Sequence, residues 1–316
     1  MESSKALQNM HNLLVIGGSG FVGASLIPAL LSKGYNVTLL NRGTRHVPGT
    51  RQLVADRNDP FAMQQIADKF EAVIDTSAYT REQSRIAFNT FGIHAKKWIH
   101  LSSAAVYKET KGHLPSEKDP IGGASVWGVY GRDKSEADHF LLNQEHTPAV
   151  AIRPPYLYGP NNDIDREQFV WARALTERPI ILPGDGQTKL QFLHEEDLAS
   201  FILYLLAMHA MPTEAVNLAD PHILTIEKWV KMLCSIAEIE PEILYGSDMA
   251  PGIPAREYFP FRDYDCALDV TRYLENFDWQ PHYKLREGFT HTFKSHSKEE
   301  LAKSSPPTFA EKAIEY

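Results

Sequence analysis

Four apolar residues, Leu13-Leu14-Val15-Ile16, run directly into Gly17-Gly18-Ser19-Gly20-Phe21-Val22-Gly23; a helical pattern then holds over 21–32, and a second apolar strand follows at 35–40. Strand, glycine turn, helix and strand within about 30 residues make a βαβ unit, whose strands are parallel and whose crossover is right-handed. The unit commits the chain to a parallel sheet with helices packed on its faces, because each crossover must return over one of them. Further apolar strands at 72–75, 98–101 and 149–152 alternate with helical stretches at 82–94 and 130–144. The alternation predicts an α/β fold built on a doubly wound parallel Rossmann sheet.

After Arg153 the rhythm changes. Prolines at 154, 155, 160, 179 and 183 and the turn-rich run Pro183-Gly184-Asp185-Gly186-Gln187 interrupt the alternation. Residues 198–209 resume as a helix and 215–218 as a late strand, so the chain is expected to leave the sheet, build a smaller C-terminal lobe and return. The expected division is an NAD(P)-binding Rossmann domain at 12–155 with 191–219 returning to it, an interleaved substrate-binding lobe at 156–190 and 220–295, and a polar tail at 296–316 that frays. At 316 residues, 43% hydrophobic and 23% charged, the chain can bury a core of that extent.

A formal net charge of −8 argues against nucleic acid as the main partner, since grip on phosphate backbones comes from clustered lysine and arginine. Cys234 and Cys266 have neither metal-ligand spacing nor the numbers for a disulfide framework, which suits a reducing cytoplasm. The 13 histidines are scattered, and no metal is expected. Residues 1–12 lack the apolar core of a secretory signal, and the longest apolar run, 198–208, is about half a membrane span. A cytoplasmic protein without a membrane partner is the expectation.

Gly17, Gly20 and Gly23 have G-x-x-G-x-x-G spacing. Glycine there permits a tight turn, close approach of the backbone to a pyrophosphate, and close packing of helix on strand. The start of the helix, with Phe21 and Val22 in its first turn, would face the phosphates. A purely structural turn has the same letters; the strand before, the helix after and the second strand at the right distance favour a dinucleotide. The tip of that second strand, Asn41-Arg42-Gly43-Thr44-Arg45, carries no acid for a ribose 2′-hydroxyl, whereas arginine accommodates a 2′-phosphate. NADP is therefore favoured over NAD, with Arg42 as the phosphate contact and Arg45 as a second candidate; a solvated basic loop is the alternative.

Tyr130 and Lys134 stand four residues apart in Val129-Tyr130-Gly131-Arg132-Asp133-Lys134. On a helix that spacing places phenol and ammonium on one face. A tyrosine titrates near ~10, so a base working near neutrality needs a shift of about 3 units, or roughly 4 kcal/mol. One ammonium about 4 Å away at an effective dielectric near 20 supplies energy of that order. Taken alone, the pair equally describes two common residues sharing a helix face. Ser103, just past the 98–101 strand, offers a hydroxyl that either satisfies local backbone or steadies a reacting oxygen. The three groups together suit removal of an alcohol proton while hydride leaves the same carbon, or the reverse.

The glycine turn, Ser103 and Tyr130-x-x-x-Lys134 occur in the order and at the intervals of the short-chain dehydrogenase/reductase superfamily. Three further segments make the chain resemble its extended branch, the NAD-dependent epimerase/dehydratase family of sugar-nucleotide enzymes: Leu101-Ser102-Ser103-Ala104-Ala105-Val106-Tyr107, Arg153-Pro154-Pro155-Tyr156-Leu157-Tyr158-Gly159-Pro160, and Gly184-Asp185-Gly186 followed by Gln191-Phe192-Leu193-His194. The resemblance implies that Tyr130 is the acid/base, that Lys134 lowers its pKa and binds the nicotinamide ribose, and that Ser103 bonds the reacting oxygen. It implies cofactor contacts at Asp56 and Arg57 near the adenine, at Ser77, Ala78 and Tyr79 under the pyrophosphate, and at Pro154 beside the nicotinamide. On the substrate side it points to Ala104, Tyr156, His194 and Arg262, the last for a nucleotide diphosphate. A structural histidine, an ion-paired Arg262, and core packing of Trp127, Tyr156 and Tyr158 are the alternatives. A nucleotide sugar as substrate and a homodimer also follow from the resemblance.

The pattern departs from the family in two places. Members that dehydrate sugars carry an acid pair directly after the catalytic serine or threonine, where this chain has Ala104 and Ala105, so a 4,6-dehydratase is disfavoured. Epimerases that recycle bound NAD carry an acid where Asn41 stands, which shifts the expectation toward NADP-linked reduction. The Leu40-Asn41-Arg42-Gly43 run also resembles an atypical subgroup that includes chloroplast stem-loop RNA-binding proteins, so an RNA-binding or regulatory protein without turnover is the alternative function.

Overall fold

Strands β1 (Asn12–Ile16), β4 (Ala72–Asp75), β5 (Lys97–Leu101) and β6 (Ala149–Arg153) are buried at every position except Asn12, as strands covered on both faces must be. The computed structural model describes residues 12–110, 112–308, 311 and 312. With β2 (Asn36–Asn41), β3 (Arg51–Val54) and β11 (Glu214–Asn217), these strands form one seven-stranded parallel sheet in the order β11-β6-β5-β4-β1-β2-β3. The order reverses between β1 and β4, which opens a crevice at their carboxyl ends.

Helices α1 (Phe21–Ser32) and α6 (Glu195–Ala207) pack together, as do α3 (Arg81–Phe91) and α4 (Gly128–Leu142). Leu14, Ile16 and Val73 of the sheet share one core with Ile86, Phe88 and Phe91 of α3 and Leu141 of α4. A short α2 (Pro60–Gln64) is capped by Asp59, whose side chain accepts from the N–H groups of Phe61 and Ala62. Lys97 opens β5 with its amine buried on the carbonyls of Leu205, Leu206 and Met208 at the end of α6, and burial pulls its pKa down to about 8.

Two compact units are present. Of the described residues, the first comprises those from 12 to 155, 195–219 and 268–280; the second comprises 156–194, 220–267 and those from 281 on. Two boundaries differ from the sequence expectation. Residues 191–194 stay with the second unit because β10 (Phe192–His194) pairs there with β7 (Tyr156–Tyr158). Residues 268–280 belong to the first, where the Tyr273 hydroxyl donates to the Ala219 carbonyl at 2.7 Å and the Asn217 amide to the Asp269 carbonyl at 3.0 Å.

The second unit has β8 (Ile180–Leu182) parallel to β13 (Ile243–Tyr245) and β9 (Lys189–Leu190) antiparallel to β12 (Leu224–Thr225). Its helices are α5 (Glu167–Leu175), α7 (Ile226–Ile236), the short α8 (Gly246–Met249), α10 (Leu285–Lys294) and α11 (Lys298–Ser304), and α9 (Thr271–Asn276) lies in the first unit. Phe192, Trp229, Phe261 and Phe289 pack as an aromatic core. The described part of the segment expected to fray is folded: α11 packs on α5, and Glu311 pairs with the buried Arg173 at 2.6 Å. Cys234 and Cys266 are free and buried, with thiols pushed up to about 12. Among the described residues no helix is long and apolar enough to cross a membrane.

Candidate functional site

A cavity of about 540 Å³ opens at the carboxyl ends of β1, β2 and β4. Gly17, Gly20, Phe21, Val22 and Gly23 form one wall. A Cβ on Gly23 would lie 1.8 Å from the Gly18 carbonyl oxygen, so α1 docks on the turn only with glycine there. A Cβ on Gly20 would meet nothing within 4 Å, and Gly20 caps α1 without a side chain. The start of α1 therefore borders open space, with the positive end of the helix dipole toward it. That helix start and the cavity volume fit the pyrophosphate and adenosine part of a dinucleotide.

Asn41, Arg42 and Thr44 line the same cavity. The Asn41 amide is spent on the loop: its oxygen accepts from Gly43 N at 2.8 Å and its nitrogen donates to the Arg45 carbonyl at 3.1 Å. Arg45 is outside the lining, and its guanidinium donates to the Ser19 carbonyl at 3.2 Å. Asp56 and Arg57 both line the cavity, with different protein partners. Asp56 closes a local turn by accepting from Asn58 N at 2.9 Å, which with the Asn58 amide holds its carboxyl below the usual range. Arg57 makes a two-pronged pair with the buried Asp75, at 2.7 and 2.8 Å, and donates to Ser77 Oγ at 2.8 Å. Burial pushes the Asp75 carboxyl up, but Arg57 more than offsets this. Arg57 thus braces the Ser77 loop from behind. Ala78 is fully buried in that loop, whereas Tyr79 is 55% exposed and lines the cavity.

Tyr130 and Lys134 lie one turn apart on α4, as their spacing predicts. Tyr130 is 40% exposed and Lys134 is 4% exposed. The Lys134 ammonium donates to the Leu101 carbonyl at 2.7 Å, at the end of β5 and two residues before Ser103. Burial pulls its pKa down to about 8; Asp138 and Asp75 oppose this fall and Arg57 adds to it. Tyr79 joins the catalytic candidates to the cavity: its ring lies 6.0 Å from that of Tyr130 and 5.2 Å from the Lys134 nitrogen. Ser103 caps the short turn Ala104–Val106, its oxygen accepting from Ala105 N at 3.2 Å, a bond that leaves its own hydrogen unused. The Pro154 carbonyl, after β6, accepts from Ala104 N at 2.9 Å and so fixes where Ser103 sits. Ala104 itself is buried.

Tyr156, His194 and Arg262 belong to the second unit. Tyr156 is packed in its aromatic core, with its ring 4.5 Å from Phe261 and the Arg166 guanidinium 4.8 Å over it. Tyr158 stacks on Phe289 at 4.0 Å, and the His194 ring lies tilted against Tyr283 at 4.0 Å. Burial drives the His194 imidazole down to about 3, so it is neutral at physiological pH. All three rings are buried in these packing contacts. Arg262 is half-buried beside Phe261, and Trp127, in the first unit, is also half-buried.

Sequence reasoning missed the layer beneath the site. Asp138, one turn beyond Lys134, accepts from Arg153 Nε at 2.8 Å and lies 3.5 Å from the buried His100. The neutral His100 is held down to about 4 by burial and by Lys134. Arg153 donates to the Tyr107 hydroxyl at 2.9 Å. Gly131 was also missed: a Cβ there would stand 2.4 Å from the Ala105 carbonyl, so its bareness lets α4 close on the turn after Ser103. The i, i+4 spacing of Lys134 and Asp138 was the one readable signal.

The chain matches the model of the NAD dependent epimerase/dehydratase family over residues 13–219. It is 27% identical to the chloroplast stem-loop binding protein of 41 kDa b of Arabidopsis thaliana, over 89% of this chain and 78% of that protein. Its fold resembles the UDP-glucose 4-epimerase of Thermotoga maritima, solved with UDP-glucose, at TM-score 0.75 and 20% identity, covering 90% of this chain and 98% of that one. It resembles a Bacillus anthracis dTDP-glucose 4,6-dehydratase, solved with NAD, at TM-score 0.76 and 19% identity, covering 92% and 97%.

Proposed function

The chain belongs to the NAD dependent epimerase/dehydratase family, and we propose that within it this protein is an NAD(P)-dependent oxidoreductase or epimerase acting at a carbonyl or hydroxyl carbon of a nucleotide sugar or related compound. The observation that carries the reading is the buried Lys134 ammonium one helical turn from the exposed Tyr130, with Tyr79 linking both to the glycine-walled cavity.

A bound nicotinamide would supply or accept the hydride. Tyr130 takes the proton of the substrate hydroxyl in oxidation and returns it in reduction. Lys134 favours the phenolate by its charge, and of its three N–H donors one is anchored on Leu101. Ser103 donates to the substrate oxygen as its charge changes. Ala104 and Ala105 offer no acid or base for removing water, so the reading stops at proton movement coupled to hydride transfer. NADP is the favoured cofactor, because Asn41 offers no carboxylate for a ribose 2′-hydroxyl while Arg42 lines the cavity.

The test is Tyr130→Phe assayed with NADP and a panel of nucleotide sugars: cofactor affinity is kept and turnover falls by orders of magnitude. Unchanged turnover would remove Tyr130 from the mechanism. The likeness to a stem-loop binding protein favours a second reading, a nucleotide-bound fold that grips RNA. The net charge of −8 weighs against it. Tight, salt-dependent RNA binding with no turnover on any carbonyl substrate would replace the first reading with the second.

A further inference from the structure

We propose that Gln52 is a positioning residue for cofactor choice: its side-chain amide locks the 41–46 loop into the shape that presents Arg42 to a ribose 2′-phosphate. The inference rests on the NADP reading above and assigns that preference a second determinant outside the loop itself.

Gln52 lies on β3, the edge strand, in register with Leu39 of β2. Its amide nitrogen donates to Asn41 Oδ1 at 2.8 Å and to the Arg45 carbonyl at 2.9 Å, and its oxygen stands 3.3 Å from His46 Nδ1. The opposite orientation of the amide would set its oxygen against two acceptors, so the clamp closes one way only. Asn41 completes it by accepting from Gly43 N and donating to the Arg45 carbonyl. The loop is therefore tied at Asn41 on one side and at Arg45 and His46 on the other, with the two cavity-lining residues, Arg42 and Thr44, between the ties. Residues 42–46 are exposed, whereas Gln52 is half-buried, so hydrogen bonds and not packing order the loop: those of Gln52 at the sheet edge, those of Asn41, and that of the Arg45 guanidinium to the Ser19 carbonyl.

Recognition of phosphate by guanidinium depends on direction, because the fork of N–H donors has to meet the oxygens squarely. A loop already held in place pays no ordering cost when the phosphate arrives. The pyrophosphate and the rest of the dinucleotide meet the glycine turn and α1, which Gln52 does not touch. Loss of the clamp should therefore weaken NADP and spare NAD. A bond that merely secured the edge strand would weaken both alike or neither.

The experiment measures dissociation constants of NADP and NAD for the full chain by calorimetry, in the wild type, Gln52→Leu and Gln52→Met. Leucine removes both donations at similar size; methionine keeps the length without the amide or a new charge, and either variant decides the matter if the other fails to fold. The expected result is a wild type that prefers NADP and variants that lose about tenfold in NADP affinity while NAD moves by less than about twofold. A wild type that binds NAD at least as tightly overturns the Arg42 reading and the clamp with it. A wild type that prefers NADP, with variants that keep its ratio of constants, overturns the clamp alone.

Discussion

Replacing Lys134 by methionine is expected to strengthen the fold at neutral pH and to abolish turnover. Lys134 is 4% exposed, and burial lowers its pKa from 10.5 to about 8. Each unit of that shift is about 1.4 kcal/mol, so holding the ammonium charged at neutral pH costs the folded state roughly 3 kcal/mol relative to the unfolded chain. Methionine fills similar space without charge but leaves the Leu101 carbonyl without its donor, a loss of about 1 kcal/mol. The net gain is about 2 kcal/mol. Because the folded pKa is depressed, the folded state binds fewer protons than the unfolded one between pH 8 and 10.5, and wild-type stability rises with pH across that window. The variant's advantage is therefore full below pH 8, shrinks to nothing within the window and turns into a deficit of about 1 kcal/mol, the lost hydrogen bond, above 10.5. Urea unfolding followed by tryptophan fluorescence, near neutrality and again near pH ~10, measures it. A variant weaker than wild type near neutrality, or a difference that does not move with pH, refutes the reasoning.

Gly23→Ala sets a methyl group against the Gly18 carbonyl, so α1 must shift; dinucleotide binding, followed by fluorescence titration of the reduced cofactor, is expected to be lost. Glu311→Gln leaves the buried Arg173 guanidinium unneutralised, and urea unfolding should show a loss of about 3 kcal/mol; a change under about 1 kcal/mol would mean that the pair is solvated in solution.

The sheet was legible because strands buried on both faces have to be apolar, and the glycine turn because backbone contact leaves no room for a side chain. The pairing of Tyr130 with Lys134 was legible because helical geometry fixes which residues share a face. The edge strand Arg51–Val54 has no apolar run of its own to read, since only one side of it is paired and its residues remain partly exposed; Gln52 was illegible too, because its role depends on knowing that β3 lies beside β2. The C-terminal segment read as loose because its anchor, Arg173, stands 138 residues away from Glu311 in the chain.

The same distinction applies to the chemistry. Lys134 titrates against Asp138 on its own helix, a partner that any window around Tyr130 contains, but also against Asp75 at the end of β4 and Arg57 in the loop after β3. Asp75 and Arg57 are 18 residues apart and meet only because β1 and β4 open the crevice between them. Their opposite charges act on Lys134 in opposite directions, Asp75 raising its pKa and Arg57 lowering it. Removing the Asp75 carboxylate would leave Arg57 to push the lysine further down, and with it the cation that sustains the phenolate. The strength of the base thus depends on the sheet as well as on the tyrosine-lysine spacing: a chain with the same spacing and a neutral residue at position 75 would hold a weaker cation beneath the same tyrosine.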